Sequence, residues 1–204
     1  MRRSSNRMHL AALATAAAVA CSLTAAKADV ASDLDDRIEH AWAFAEAQLG
    51  RTLTEVPLGS PQRYPSTTAD DGTWNTTSAR GWTGGFFPGS LWRMYERTGD
   101  AAWREAAEQR TGGLAGQTDS TFTHDVGFMI NTSYGNGYRL TGGDAYRAGM
   151  VEAAGALATR YRPAVGCIRS WDHWPDCNVI IDNMMNLELL LRAAEMPGGR
   201  SQWR

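Results

Sequence analysis

Two aspartates are set apart from the other acidic residues by the segments around them. Asp125 follows His124 and opens an apolar helical segment, and Asp182 follows a Val-Ile-Ile run and opens an Asn-Met-Met-Asn segment. Two carboxyl groups that face one cavity suit acid and base catalysis, because an apolar setting raises the pKa of a carboxylic acid towards that of a proton donor. Aspartate also caps helices, so these residues alone leave catalysis and capping equally good explanations.

Several tryptophans lie near these acids in the sequence. Flat apolar faces with polar edges suit sugar rings, although most tryptophans pack in the core. Trp82 and Trp171 each precede a predicted helix start, where the mouth of a cavity is expected. We therefore predict that both line a sugar-binding site. Trp92 and Trp103 fall within predicted helices and are expected to pack.

His124 is a candidate ligand, base or hydrogen-bonding partner. The other histidines beyond residue 28 are His40 and His173, and neither has metal-ligand spacing with His124. We therefore expect no catalytic metal and no other cofactor.

The elements that position these residues contain a repeat. The segment Tyr95 to Arg104 is echoed by Tyr138 to Arg147, with most equivalent positions 43 residues apart. In each copy a helix ends at a Thr-Gly step, and the next aspartate, Asp100 or Asp144, is expected to cap a second helix. A third unit begins near Ile180. The pattern predicts an all-α fold of helix hairpins, either an open solenoid or a closed ring, and the carboxylates at helix starts favour the ring.

The segments before the repeat predict a helix and then a loop. Apolar residues recur at helical spacing over residues 34–49, with Ser32 and Asp35 as a capping box and Gly50 as the stop. The Pro-, Gly- and Ser/Thr-rich segment from Arg51 to Gly81 is typical of a long surface loop. No alternating pattern of useful length indicates a strand.

Residues 1–28 are typical of a secretory signal peptide, with arginines before an apolar run and a final Ala-Lys-Ala site. The run is short and alanine-rich for a membrane span. We expect cleavage, a mature domain over residues 29–204, and a secreted or periplasmic location. Residues 1–28 hold four of the 20 basic residues and none of the 22 acidic ones, which leaves a formal charge of −6. A nucleic-acid partner is not expected, because phosphate binding needs a basic surface.

Two cysteines remain beyond the signal peptide, Cys167 and Cys177. An oxidising compartment permits them to pair as a disulfide. Two unpaired, packed cysteines explain the sequence equally well. The spacing does not indicate a zinc site, because no second cysteine or histidine pair accompanies it.

Five motifs, taken in order over about residues 33 to 196, resemble glycoside hydrolase family 88, the unsaturated glucuronyl hydrolases. They are Gly81-Trp-Thr-Gly-Gly-Phe-Phe-Pro-Gly-Ser-Leu-Trp92, Thr123-His-Asp-Val-Gly-Phe-Met129, Ser133-Tyr-Gly-Asn-Gly-Tyr138, Ile168-Arg-Ser-Trp-Asp172 and Ile180-Ile-Asp-Asn-Met-Met-Asn-Leu-Glu-Leu-Leu190.

The resemblance implies a six-hairpin (α/α) toroid that acts on oligosaccharides ending in an unsaturated uronate. Family members hydrate the C4=C5 double bond of that sugar, and the hemiketal formed rearranges and releases the neighbouring sugar. By the motifs, the acid/base falls on Asp182 and the second essential carboxylate on Asp125. Trp82, His124 and Trp171 match positions that line the sugar subsite.

The chain ends within the third of the six expected hairpins, so we expect about the first half of the toroid. Any arginine or serine from the other half that holds the uronate carboxylate is not assigned. Residues 29–204 alone are expected to lack activity and to associate through apolar surface. Two alternatives stay open, which are an unsaturated rhamnogalacturonyl hydrolase acting on pectin fragments and an inactive carbohydrate-binding helical fragment.

Overall fold

The structure is a computed structural model that describes residues 32–174, 176–197 and 199. The expected signal peptide lies outside the described residues. The described residues fall into two units, which meet between Gln48 and Leu49. Among the described residues, no helix combines the length and the apolar character that crossing a membrane requires.

Six helices and two short hairpins make up the described part of the chain. They are α1 (32–55), β1 (Arg63–Thr68), β2 (Trp74–Ser78), α2 (Phe86–Thr98), α3 (Ala101–Gly112), α4 (Val126–Thr141), α5 (Asp144–Ala158), β3 (Tyr161–Arg162), β4 (Cys167–Ile168) and α6 (Asn183–Glu195), with one 3-10 turn at Trp82–Gly85 and another at Ala115–Gln117.

The predicted helix hairpins are present as α2 with α3 and α4 with α5. Both first helices end at the Thr-Gly step, where Gly99 and Gly142 have φ of 70° and 69°. Their backbone N–H groups donate to the carbonyls of Tyr95 and Tyr138, four residues earlier. Glycine adopts this left-handed conformation without steric cost, so the repeat encodes two equivalent helix ends.

The two copies differ at the start of the second helix. Asp100 caps α3 as predicted, because its side chain accepts a hydrogen bond from the N–H of Ala102 at 2.9 Å. The prediction for Asp144 is wrong, since Gly143 occupies the cap position and Asp144 is the first residue of α5. In the second copy Gly143 takes the position of Asp100, and the aspartate stands one position later, inside the helix, where it pairs with Arg147 at 3.2 Å.

The segment predicted as a long loop contains an antiparallel hairpin, so the expectation that the fold has no strands is wrong. β1 pairs with β2, and the register shifts between Pro65 and Thr67. Proline inside a strand argues against a ladder, and this bulge accommodates it. The turn contains Asp71 and Gly72, with Gly72 at φ 84°. The Asp-Gly step between two threonine-rich segments is the hairpin signal that the sequence analysis missed.

Gly50 does not end α1, which continues to residue 55. A glycine inside a helix costs only about 1 kcal/mol relative to alanine. Leu49 and Leu53 pack against the buried residues of α2 and α3, and that packing carries the helix past the glycine. The predicted stop at Gly50 is therefore wrong, because tertiary contacts outweigh the local propensity.

Two buried clusters hold the helices of the second unit together. The first cluster includes Ile130 on α4, Met150 on α5 and Leu189 on α6, each 0% exposed. The second joins α2 and α3 around Trp92, with Trp103 partly buried against it, so both tryptophans pack as predicted. Each large apolar side chain buried in this way contributes roughly 1.5–3 kcal/mol. The first cluster holds α4 and α6 side by side, with their starts adjacent.

Candidate active site

Asp125 and Asp182 occupy the cap positions of α4 and α6, yet neither side chain caps its helix. Both have helical backbone angles, with φ of −64°, and neither carboxylate accepts a hydrogen bond from the first turn. Asp100 on α3 shows what a capping aspartate in this fold looks like. The capping explanation therefore fails for both residues, and their carboxylates are directed elsewhere.

The two carboxylates meet at the imidazole of His124. Its Nε2 lies 3.0 Å from Oδ2 of Asp182 and 3.4 Å from Oδ1 of Asp125. The His124 side chain is 1% exposed, that of Asp125 17% and that of Asp182 30%. Nδ1 of His124 is buried and has no hydrogen-bond partner within the described residues. A proton on Nε2 is therefore the favoured tautomer, because it donates to a carboxylate and leaves no unpaired N–H inside.

The two carboxylates differ in their freedom. Thr123 Oγ1 donates to Oδ2 of Asp125 at 2.7 Å and accepts from the Asp125 backbone N–H at 3.1 Å. Asp125 is thus held on one side by Thr123 and faces His124 on the other. Across the described residues, the carboxylate of Asp182 has His124 as its hydrogen-bond partner. Asp182 is the carboxylate that is more open to a ligand.

Asn186 sets the spacing between the two helix starts. Its side-chain oxygen accepts from the N–H of Phe128 at 2.9 Å, and its side-chain amide donates to the carbonyl of Asp182 at 3.4 Å. A Cβ at Gly127 would lie 2.5 Å from Cα of Asn186, so only glycine permits this approach. Sequence reasoning did not single out Asn186, although an amide between apolar residues on a helix is the signal that pointed to it.

All five residues predicted for the site line one cleft of about 390 Å³. Its walls are formed by Trp82, Phe86, His124, Asp125, Phe128, Trp171, Ile180, Ile181, Asp182 and Met185. A neighbouring groove of about 580 Å³ also has a mainly apolar lining, but no carboxylate is part of it. The smaller cleft is the candidate active site, because it combines apolar walls with convergent titratable groups.

Aromatic rings form two sides of this cleft. Trp82 is 58% exposed and stands edge-on to Phe86 and Phe128, with ring centroids 6.2 and 6.1 Å away. Phe86 and Phe128 stack on each other at 5.3 Å. Trp171 is 36% exposed and stands edge-on to His124 at 6.3 Å. Trp171 also stacks on His173 at 5.9 Å. Both tryptophans line the cleft and are partly exposed, so their rings are available to a ring-shaped ligand.

Arg160, which follows α5, joins the two loops that carry His124 and Trp171. Its guanidinium is 4% exposed and donates to the carbonyls of Thr121 and Ser170 at 2.8 and 2.9 Å. It also pairs with both oxygens of Asp172 at 3.1 Å and thereby lowers the pKa of that carboxyl. Sequence reasoning missed Arg160, since a basic residue near a helix C-terminus is common.

His124, Asp125 and Asp182 are also the described residues that could hold a metal ion. One ligand atom from each lies within 4.8 Å of the others. Imidazole nitrogen and carboxylate oxygen are ligands for zinc and other divalent transition metals. The hydrogen bond between His124 and Asp182 and the contact with Asp125 account for the same grouping without an ion, so the arrangement is suited to proton transfer as it stands.

Two curated proteins with the same kind of name are similar to this chain in sequence. No protein-family model matches the chain. An unsaturated glucuronyl hydrolase of Formosa agariphila is 38% identical over 151 residues, which are 72% of this chain and 38% of that protein. One of Bacillus sp. (strain GL1) is 31% identical over 143 residues, which are 67% of this chain and 38% of that protein.

A solved structure matches the fold. The crystal structure of an unsaturated glucuronyl hydrolase specific for heparin is 39% identical, with a TM-score of 0.75 over 83% of this chain and 45% of that one. The predicted fold class, helix hairpins of the (α/α) toroid type, is thereby confirmed. The chain spans about two fifths of the length of the curated relatives it matches, which fits the expectation of an N-terminal half.

Proposed function

Because the chain is homologous to the unsaturated glucuronyl hydrolases in sequence and in fold, we propose that it forms part of an enzyme of that kind. The enzyme removes the unsaturated uronic acid from the nonreducing end of glycosaminoglycan-type oligosaccharides. The observation that carries this proposal is the meeting of Asp125 and Asp182 at His124 inside a cleft walled by Trp82 and Trp171.

Asp182 is the acid/base of the proposed reaction. It donates a proton to C4 of the double bond, and positive charge develops at C5 next to the ring oxygen. Water adds to C5 and returns a proton to Asp182, and the hemiketal then opens and releases the neighbouring sugar. Asp182 is more exposed than Asp125, and among the described residues its carboxylate bonds to His124 alone; both features support this role, because a proton donor must reach the substrate.

Asp125 and His124 hold this centre in place. Thr123 fixes Asp125, and Asp125 lies beside the imidazole that contacts Asp182. Asp125 orients the sugar, and His124 keeps the carboxyl group of Asp182 in position through their hydrogen bond. A buried network that keeps a reacting group in position lowers the barrier, since displacement by about 1 Å can cost on the order of 10²-fold in rate.

The substrate class follows from chemistry and from the relatives. The partly exposed rings of Trp82 and Trp171, which line the cleft, are suited to contacts with sugar rings. Relatives are named for unsaturated chondroitin disaccharides, and one structural neighbour for heparin. Unsaturated uronyl oligosaccharides of the glycosaminoglycan type are the proposed partners. We place the mature enzyme outside the cytoplasm, in the periplasm or the medium, on the signal-peptide pattern of residues 1–28.

The test is an assay of the complete protein with a panel of unsaturated disaccharides from chondroitin, heparin and hyaluronan and one from pectin. Hydration removes the conjugated double bond, so its ultraviolet absorbance should fall. Asp182→Asn is the matched inactive control, and a chelator in the buffer should leave the rate unchanged. Constant absorbance over the whole panel would contradict the proposal, and turnover of the pectin disaccharide alone would move the enzyme to the rhamnogalacturonyl class.

A further inference from the structure

Cys167 and Cys177 lie at the two ends of the loop that carries Trp171. Cys167 is in β4, and Cys177 lies in the segment that leads to α6. Their Sγ atoms are 3.2 Å apart, and both side chains are half-buried thiols. A disulfide bond requires a separation of about 2.05 Å between the sulfurs. A small rotation of the side chains therefore brings these two atoms to bonding distance.

The backbone holds the two ends of this loop together independently of the sulfurs. The N–H of Ser170 donates to the carbonyl of Asn178 at 2.9 Å, and the N–H of Ile180 donates to Oγ of Ser170 at 3.1 Å. Asn183 on α6 donates to the carbonyl of Ile168 at 2.8 Å. These bonds keep the chain segments around the cysteines side by side, so the thiols have little freedom to separate.

The loop is also tied to the cleft from inside. Arg169 donates to the carbonyls of Trp171 and Asp172 at 2.7 Å each, and Arg160 pairs with Asp172. A covalent link at the base of the loop would add to these contacts by removing open conformations of the chain. The link would restrict the position of Trp171 in particular, because this residue lines the cleft.

We propose that Cys167 and Cys177 form a disulfide bond that fixes the loop holding Trp171 at the mouth of the cleft. In the reaction, one thiolate attacks a low-molecular-weight disulfide, which leaves one thiol and a mixed disulfide on the protein. The second thiolate attacks that mixed disulfide and releases the second thiol. Two electrons pass to the oxidant, two thiol protons are released from the protein, and the two leaving thiolates each take up one.

The chemistry of the pair sets the conditions of the reaction. The neighbouring Cys177 thiol raises the pKa of Cys167. Because the thiolate is the attacking form, the bond forms faster as the pH rises above neutrality. The effect of the bond on sugar binding rests on the proposed function, whereas the bond itself does not.

The first experiment follows the bond directly. The full chain carrying Cys21→Ser, which leaves only these two cysteines, is reduced, freed of reductant and treated with oxidised glutathione. We expect the intact mass to fall by about 2 Da, both thiols to disappear, and a peptide map to show the cross-link between positions 167 and 177. Thermal unfolding should shift upwards by roughly 5 °C. A stable glutathione adduct, or cross-links between chains only, would overturn the proposal.

Matched variants separate the bond from its consequence. Cys167→Ser and Cys177→Ser should each have the unfolding temperature of the reduced chain, and the oxidant should not raise it. Cleavage by trypsin after Arg169 should slow about tenfold on oxidation of the parent and stay unchanged in the variants. In the complete enzyme, reduction should raise KM severalfold with kcat nearly constant. If the oxidised and reduced forms of an active enzyme have the same KM, the bond does not position Trp171. That result would not affect the proposal that the bond forms.

Discussion

The side-chain oxygen of Asn186 accepts a hydrogen bond from the backbone N–H of Phe128, and this contact joins the start of α6 to the start of α4. Asn186 is 0% exposed, and Phe128 lies in the first turn of α4, where the N–H has no partner within its own helix. One side chain thus satisfies an orphan donor and sets the distance between the helices that carry Asp125 and Asp182.

Replacement of Asn186 by leucine should affect both stability and catalysis. It leaves the N–H of Phe128 buried without a partner, at a cost of about 1–3 kcal/mol. We expect a lower unfolding temperature and, in the complete enzyme, a lower kcat with a smaller change in KM. Asn136→Ala is the control, because that buried amide bonds within α4. Equal kcat in both variants would show that Asn186 does not position the carboxylates.

Asp182→Asn should abolish nearly all turnover in the complete enzyme. An amide fills the same space and still accepts a hydrogen bond from His124, but it does not transfer a proton. General acid/base groups typically contribute about 10²- to 10⁴-fold. Steady-state kinetics and a binding titration measure the two effects, and substrate binding should persist. Asp144→Asn on the exposed start of α5 should be neutral, and a loss at Asp182 below about tenfold would reject the assignment.

Trp171 and Trp92 should respond to substitution in opposite ways. Trp171→Ala should raise KM more than it lowers kcat, with a small change in unfolding temperature, because the ring borders the cleft. Trp92→Ala removes a fully buried ring and its hydrogen bond to Thr111, at a cost of roughly 3–5 kcal/mol. Calorimetry and kinetics on both variants separate the two roles. A large stability loss at Trp171 with unchanged KM would make it a packing residue.

The ion pair of Glu96 and Arg139 should give a defined pH dependence of stability. Hydrogen bonds from Arg139 lower the pKa of Glu96 from 4.5 to about 2. Because the folded pKa is the lower one, the pair stabilises the fold above about pH 4.5 and loses this effect as the pH falls through about 2.

Denaturant unfolding between these pH values measures the effect. Glu96→Gln should reduce the change in the free energy of unfolding between these pH values. Glu188→Gln, an exposed change on α6, should leave it as in the parent. The Glu96 side chain is 38% exposed, so salt should weaken the effect. A curve for Glu96→Gln that matches the parent would contradict the prediction.

The apolar groove beside α6 should make the 204-residue chain associate. Met184 on this helix lines the groove of about 580 Å³ and is 67% exposed, and Leu191, outside the groove on the same helix, is 70% exposed. Light scattering should show an apparent mass that rises with concentration. Changing both residues to glutamine should raise the protein concentration at which the chain associates by at least about tenfold. Leu58→Gln, an exposed change elsewhere, is the control, and a monomer at all concentrations would contradict the prediction.

The sequence could predict features whose signal is local. The Thr-Gly steps that contain Gly99 and Gly142 specify helix ends by backbone sterics, and the predicted ends are correct. The placement of Asp125 and Asp182 at helix starts followed from the change in hydrophobic pattern, and the cleft contains both. The departure of Asp182 from capping was not predictable, because it depends on His124, which is distant in the sequence and is brought close by the fold. The carboxylate of Asp125 is instead held by a local contact with Thr123.

Features that depend on distant contacts were missed or wrong. Gly50 is a plausible helix end by propensity, and only the packing of Leu53 shows that α1 continues. Arg160 contacts residues far away in the sequence, which no local pattern reveals. The hairpin of β1 and β2 is the exception, since its Asp71-Gly72 turn was visible in the sequence and was outweighed by the prolines.

Because the buried Arg160 side chain donates to both the loop with Trp171 and the loop with His124, the two loops depend on each other structurally. Thr121 and Ser170 depend on the same arginine, so a sequence change that disturbs one loop also removes a support of the other. A loop grafted in place of the Trp171 loop to alter sugar preference must therefore itself contain an acceptor equivalent to Asp172 for Arg160. Otherwise the graft also loosens the loop that carries His124, which it was meant to leave unchanged.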